Sequence, residues 1–102
     1  MLTGLLTINI HLQGVGSLKG KRSIIKSLVE RLRNRFNASV TEIAAQDSTK
    51  LAIVGVAVIT NEGSHLDEQL DKIVNFILND GRFYVGQIHR EIFTSNHDRP
   101  IL

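Results

Sequence analysis

The positions of hydrophobic and polar residues predict a first strand near the beginning of the chain. Leu6, Ile8 and Ile10 alternate with Thr7 and Asn9, which is the period-two pattern of a strand with one buried face. This alternation predicts a β-strand over residues 3–13.

A helical period replaces the alternation after a short turn. Gly14 and Gly16 mark the turn, and the hydroxyl of Ser17 is placed to accept a hydrogen bond from the free amides of a first helical turn. Apolar residues then recur at spacings of three and four, which predicts a helix that ends near Arg35. The residues of this apolar stripe are Ile24, Ile25, Leu28, Val29, Leu32 and Phe36.

Two β-branched runs separated by the letters DST predict a hairpin over roughly 38–60. The second run is apolar on both faces, with Ile53, Ala57 and Ile59 on one face and valines on the other. Such a strand is expected to lie centrally and to be covered on both sides.

A second helix and a last strand complete the pattern. Ser64 and Asp67 have the spacing of a capping box, and Gly81 fits a helix C-cap. The following run, residues 82–93, predicts a strand with Tyr84, Ile88 and Ile92 on one face; we call them the β4 apolar set.

The order strand-helix-strand-strand-helix-strand predicts an α+β, ferredoxin-like βαββαβ fold, as one domain over residues 1–102. Two helices should pack on one face of a four-stranded antiparallel sheet. The other face would stay open, and we expect it to pack against a second copy of the chain, giving a homodimer.

Composition narrows the function classes. The absence of cysteine excludes disulfides and thiolate chemistry, and no run approaches the roughly 20 apolar residues of a membrane span. The opening segment lacks a basic n-region, so it does not resemble a signal peptide. We therefore expect a cytoplasmic protein without a membrane association.

The charge is distributed unevenly. Residues 18–36 carry seven Lys and Arg against Glu30, whereas residues 61–80 carry five acids against Lys72. Concentrated positive charge on one helix favours a polyanionic partner, and RNA is the obvious one in a cytoplasm. The alternative is a solvated helix face that keeps the protein soluble. The residues predicted to contact phosphates are Lys19, Lys21, Arg22, Lys26 and Arg33.

The contacts to RNA are expected to be backbone-directed. RNA-recognition motifs share this topology and stack bases on aromatic residues of strands one and three, but here those strands contain none. Helix one would be the contact element.

The glycine loop does not match known phosphate loops. A Walker A loop requires a different glycine-to-lysine spacing, and Arg22 stands at its hydroxyl position. The loop resembles that of acylphosphatases, but Leu18 occupies the position of their arginine, so a phosphohydrolase is not expected. Gly14, Gly16 and Ser17 remain a candidate anion or ligand loop, or simply a tight turn.

No catalytic constellation, metal site or cofactor is predicted. His11 and His89 would lie about 13 Å apart on neighbouring strands, too far for one metal ion. His65 opens the second predicted helix and His97 lies in the C-terminal tail, and no nucleophile accompanies a base. A non-enzymatic protein is expected.

Residues 17–47 resemble the YlxP-like family of small bacterial proteins, catalogued as domain of unknown function 503. The similarity rests on SLKGKRS and on FNASVTE (residues 36–42), and it extends more loosely through helix two. At Gly20 the family pattern commonly has glutamate. The resemblance implies a ferredoxin-like fold and an association with translation, since such proteins are commonly encoded beside translation and ribosome-maturation factors. It implies no activity.

Two functions therefore stay open. The first is an RNA- or ribosome-associated binding protein that uses helix one. The second resembles ACT domains, which share this topology and bind small ligands near a glycine-bearing loop at a subunit interface; Gly14, Gly16 and Ser17 would then bind the ligand. A purely structural role is the remaining possibility.

Overall fold

The computed structural model describes residues 1–95, so His97 lies outside the described residues. One antiparallel sheet has the strand order β2-β3-β1-β4, and both helices pack on the same face. The predicted ferredoxin-like α+β arrangement is confirmed. The elements are β1 (Leu2–His11), α1 (Leu18–Arg35), β2 (Ser39–Ala44), β3 (Leu51–Thr60), α2 (Gly63–Leu78) and β4 (Tyr84–Thr94).

The hydrophobic core lies between the sheet and the helices. Leu6, Ile8 and Ile10 of β1 point into it, as the alternation predicted, and they are at most 1% exposed. On β3 the even-numbered residues 52–58 are buried beneath the helices. The central strands therefore each contribute one full face to the core, which leaves their other faces away from the helices.

Helix α1 begins where the sequence predicted. Ser17 has extended dihedral angles, and its Oγ accepts a 3.1 Å hydrogen bond from the Gly20 amide. No acidic residue lies in the first turn, so the partial positive charge of the helix N-terminus has no acidic side chain beside it. This end of α1 is therefore under-stabilised.

We expect Gly20→Glu to raise the free energy of unfolding by about 1 kcal/mol. Gly costs a helix roughly 1 kcal/mol relative to Ala, and a glutamate at this position can reach back to the Ser17 amide. A Cβ here would lie 3.3 Å from Ser17 Oγ and from Val15 Cγ1, so a small local adjustment is required. Urea denaturation measures the change, and Gly20→Ala separates helix propensity from the capping contribution. A Gly20→Glu protein no more stable than the parent would contradict the expectation.

The predicted caps of α2 are wrong. The helix starts at Gly63 after the N-cap residue Glu62, which makes no side-chain capping hydrogen bond, so Ser64 lies inside the first turn. The hydroxyl of Thr60 accepts from the Glu62 amide and turns the chain immediately after β3. At the other end Asn79 is the C-cap.

A β-bulge in β4 overturns the β4 apolar set. Ile8 pairs with Ile88 but Ile10 pairs with Val85, so one residue of β1 faces two of β4. The extra residue changes which face each later side chain occupies. Tyr84, opposite His11, lies on the open face, whereas Ile88 and Ile92 lie on the helix face.

Within residues 1–95, none of the helices combines the length and the apolar character that crossing a membrane demands.

Candidate functional site

Four of the predicted phosphate-binding residues are exposed on α1, and three of them make no side-chain hydrogen bond or ion pair within residues 1–95. Lys19, Arg22 and Lys26 lie on solvent-facing positions of the helix, and none makes an ion pair within residues 1–95. We call them the cationic stripe. Arg22 and Lys26 also line a groove of about 510 Å³ between α1 and β2, together with Glu42 and Asp47. The stripe is thus an accessible set of cations with carboxylates beside two of them.

The prediction for Lys21 is wrong, because its side chain is fully buried beneath the hairpin of β2 and β3. Its Nζ lies 3.0 Å from Glu42 Oε2 and donates a hydrogen bond to the Ala45 carbonyl. A buried ammonium needs such partners, because leaving it without them would cost several kcal/mol. Lys21 therefore holds the hairpin on the helix and cannot contact a phosphate in solution.

Glu42 is the partner of Lys21, a pairing that the sequence-based interpretation did not assign. It pairs in register with the buried Val54, so its side chain points toward the helices, and 17% of it is exposed. Its Oε2 is buried and, although close to the ammonium, does not meet hydrogen-bond geometry within residues 1–95. The contact is an ion pair in a partly closed site rather than a fully satisfied network.

The hairpin turn above this ion pair has an unusual backbone. The backbone of Ala45 has φ of 63°, which lies in the left-handed region that residues other than glycine, asparagine and aspartate rarely adopt. Its carbonyl is the one that accepts from Lys21. The buried lysine therefore binds the turn at its strained residue.

Arg33 lies on the same side of α1 as the cationic stripe, but its guanidinium already makes one hydrogen bond. Its Nη2 donates a 2.6 Å hydrogen bond to the Val40 carbonyl of β2. The residue remains exposed, so its charge still contributes to the positive field of this side.

The opposite side of α1 carries two further arginines that face α2. Arg31 and Arg35 lie over the ring of Phe76, with guanidinium carbons 5.1 and 5.4 Å from its centroid. Phe36 packs edge-on against Phe76 with centroids 5.8 Å apart. These contacts fix two cations next to an aromatic pair, an arrangement absent from the sequence-based prediction.

Asp80 anchors this region from the end of α2. Its side chain is 4% exposed and accepts from Arg82 at 2.6 Å and from Arg31 at 3.4 Å. The hydrogen bond from Arg82 is the main reason that the pKa of this carboxyl lies below its usual value. Asp80 is therefore a permanent anion at neutral pH and holds Arg31 in place.

The glycine loop forms an exposed turn at the start of α1. Gly14 has φ of 73° and so requires glycine, whereas Gly16 has an ordinary φ and an added Cβ would meet nothing within 4 Å. The Ser17 hydroxyl is engaged with the Gly20 amide. The loop and Lys50 line a groove of about 570 Å³. The turn explains Gly14, and no steric reason explains Gly16.

The histidines lie apart, as expected. His89 pairs in register with Thr7, four residues from His11, and makes a 3.3 Å contact with Glu91. His65 contacts Glu62 at 3.4 Å. Within residues 1–95 no three potential ligands form a metal-binding group.

The open face of the sheet carries few charged side chains, with Glu91 of the edge strand β4 among them. Its ten central positions, on β1 and β3, contain no Asp, Glu, Lys or Arg. Four large apolar side chains on this face are between 49% and 63% exposed. They are Ile43, Ile59, Tyr84 and Phe93.

The chain matches a known family over most of its length. The model of the family described as "Protein of unknown function (DUF503)" matches residues 3–90. The chain belongs to the DUF503 family. A relative from Bacillus subtilis (strain 168), described as "Uncharacterized protein YlxP", is 34% identical over 62 residues, which cover 61% of this chain and 67% of the relative. The YlxP-like resemblance is thus confirmed.

The matched region of this DUF503 chain contains every residue of the cationic stripe, the Lys21–Glu42 pair and the Phe36–Phe76 cluster. Neither description names an activity or a ligand.

Proposed function

We propose that this protein is a non-enzymatic, cytoplasmic RNA-binding protein that contacts RNA or a ribosomal particle through α1. The observation that supports the proposal is the cationic stripe, which is exposed and makes no ion pair within residues 1–95. Neutralising phosphates with such residues releases counterions, which is the main source of affinity for nucleic acid. Lys19, Arg22 and Lys26 are the proposed phosphate contacts, and Arg33 adds charge beside them.

The acidic side chains of α2 do not neutralise the cationic stripe. Asp67 and Asp71 of α2 pair with Arg90 of β4, and Glu68 pairs with Lys72 of its own helix. These carboxylates of α2 thus pair with cations that do not belong to the cationic stripe. This distribution supports a positive surface that remains available to a polyanion.

Neutralising the stripe should abolish most RNA binding. We expect Arg22→Gln/Lys26→Gln to weaken binding to a short oligoribonucleotide about tenfold or more, since two phosphate contacts are lost. For the parent protein, four to six neutralised phosphates predict a log–log salt slope of roughly −3 to −5. Fluorescence anisotropy at several salt concentrations measures both quantities.

A matched variant controls for net charge. Lys50→Gln/Arg90→Gln removes the same two charges from other parts of the protein and should bind nearly as tightly as the parent. Equal affinities of the two double variants, or binding that does not depend on salt, would refute the proposal. A thermal-shift response of RNA-free protein to amino acids or phosphate, lost in Gly16→Val, would instead support the ACT-like alternative.

We also propose that two copies associate through the open sheet face. Two strands of ten residues, one of eleven and one of six give a face of about 600 Å² per copy, so a pair buries about 1,200 Å², the lower bound for a stable interface. The scarcity of charge favours a second copy of the same face over a polyanion. Sedimentation should give twice the 11.3 kDa mass of one chain.

A further inference from the structure

The groove between α1 and α2 is a second surface with the chemistry of a nucleic-acid site. It has a volume of about 400 Å³. It lies on one side of α1, whereas Arg33 and the groove between α1 and β2 that Arg22 and Lys26 line lie on the opposite side. Its lining combines cations, side-chain amides and an aromatic pair. These residues are Arg31, Arg35, Phe36, Lys72, Asn75, Phe76, Asn79 and Asp80.

We propose that this groove binds one nucleotide unit of the RNA. The inference rests on the proposed function and extends it, because it assigns a subsite that reads a base as well as a phosphate. Arg31 and Arg35 bind the phosphate, and Asn75 and Asn79 offer amide groups to the edge of the base.

The two guanidinium groups are held in place before any ligand arrives. Both lie over the ring of Phe76, and Arg31 also bonds Asp80 at 3.4 Å. Guanidinium groups fixed in this way lose less conformational entropy on binding phosphate, and a guanidinium plane provides a surface on which a base stacks. Arg31 nevertheless remains 53% exposed, so its outer face is accessible.

The charges around the groove favour an anion. Three cations face it, and Asp80 is already engaged by Arg82 and Arg31. The Nζ of Lys72 also forms an ion pair with Glu68 Oε1, at 3.1 Å. Asn75 and Asn79 have exposed side chains that make no hydrogen bond within the described part of the chain. Amides are the groups that read base edges, because each offers both a donor and an acceptor.

The position on α1 connects this groove with the cationic stripe. Lys19 and Arg35 are separated by about 24 Å along the axis of the helix. The exposed outer face of α1 lies between its two cationic sides, so a single RNA strand that crosses this face obliquely can contact both of them. The stripe supplies sequence-independent affinity, and the groove supplies a preference for one base over another.

The test is a nitrogen-15 NMR titration of the full chain with short oligoribonucleotides of different base composition. We expect the side-chain amide signals of Asn75 and Asn79 to shift on binding, and to shift differently with different bases. Arg35→Gln/Asn75→Ala should weaken binding roughly three- to tenfold and abolish the base preference. Arg90→Gln/Asn61→Ala, which removes the same residue types elsewhere, should leave both unchanged.

Two results would overturn the inference. One is an Arg35→Gln/Asn75→Ala protein that binds like its matched control while Arg22→Gln/Lys26→Gln still loses affinity, which would leave the proposed function intact. The other is an identical shift of the Asn75 and Asn79 amides with inorganic phosphate alone, which would show an anion site that reads no base. Failure of every variant and of the parent to bind RNA would refute both proposals together.

Discussion

Lys21→Met is expected to lower the free energy of unfolding by about 3–5 kcal/mol, because it removes one partner of a buried ion pair. The substitution keeps the length of the side chain but leaves the buried Oε2 of Glu42 without its cation. It also leaves the Ala45 carbonyl without the donor that it has in the folded protein. Chemical denaturation followed by circular dichroism measures the loss.

A double-mutant cycle separates these contributions. Adding Glu42→Leu to Lys21→Met removes the unpaired carboxylate, and we expect it to recover about half of the lost stability. The remaining deficit should be about 1–3 kcal/mol, the cost of the unsatisfied Ala45 carbonyl. A Lys21→Met protein within about 1 kcal/mol of the parent would show that the pair contributes little. Lys19→Met, on the exposed side of the same helix, is the control.

Ile59→Lys is expected to convert the proposed dimer into a monomer. Ile59 is 63% exposed on the open face, so a lysine there has little effect on the isolated chain. In a face-to-face pair the same lysine would bury an ammonium against apolar strands, and we expect the dissociation constant to rise at least 100-fold. Sedimentation equilibrium over a range of concentrations measures the change.

The control for this experiment replaces an exposed aliphatic residue that lies outside the open sheet face. Leu78 is 53% exposed at the end of α2, away from the open face, so Leu78→Lys should leave association unchanged. A parent protein that is monomeric at all concentrations would refute the dimer. So would equal effects of the two substitutions.

The regular part of the fold was readable because its hydrophobic periods are uninterrupted. The alternation of Leu6, Ile8 and Ile10 and the helical stripe of α1 each predicted an element within one or two residues of its bounds. Neither pattern has a competing period, so propensity and burial agree.

The burial of Lys21 was missed although the spacing pointed to it. The buried residues of α1 are Lys21, Ile25, Leu28 and Leu32, so the core stripe simply continues backwards by one turn onto a lysine. Glu42 likewise alternates inward with Val40 on β2. The prediction assigned Lys21 to the phosphate contacts because of its charge and did not use its position on the core stripe. Complementary charges at two inward-facing positions are a recognisable sign of a buried ion pair.

The bulge and the groove between the helices could not be obtained from local patterns. One residue of β1 faces two of β4 near Gly86, which glycine permits where the His11 ring lies close, and no period marks such an extra residue. The Arg31–Phe76 contact joins residues 45 positions apart, so it depends on how two helices pack.

The strand order has a consequence for synthesis of the chain. β1 is made first but pairs on one side with β3 and on the other with β4, as far as Leu2 with Thr94. The ordering entropy of these distant pairings has to be overcome before their contacts form. During synthesis on the ribosome one edge of β1 therefore stays unpaired, with about half of the strand's backbone hydrogen bonds unmade, until β4 has emerged.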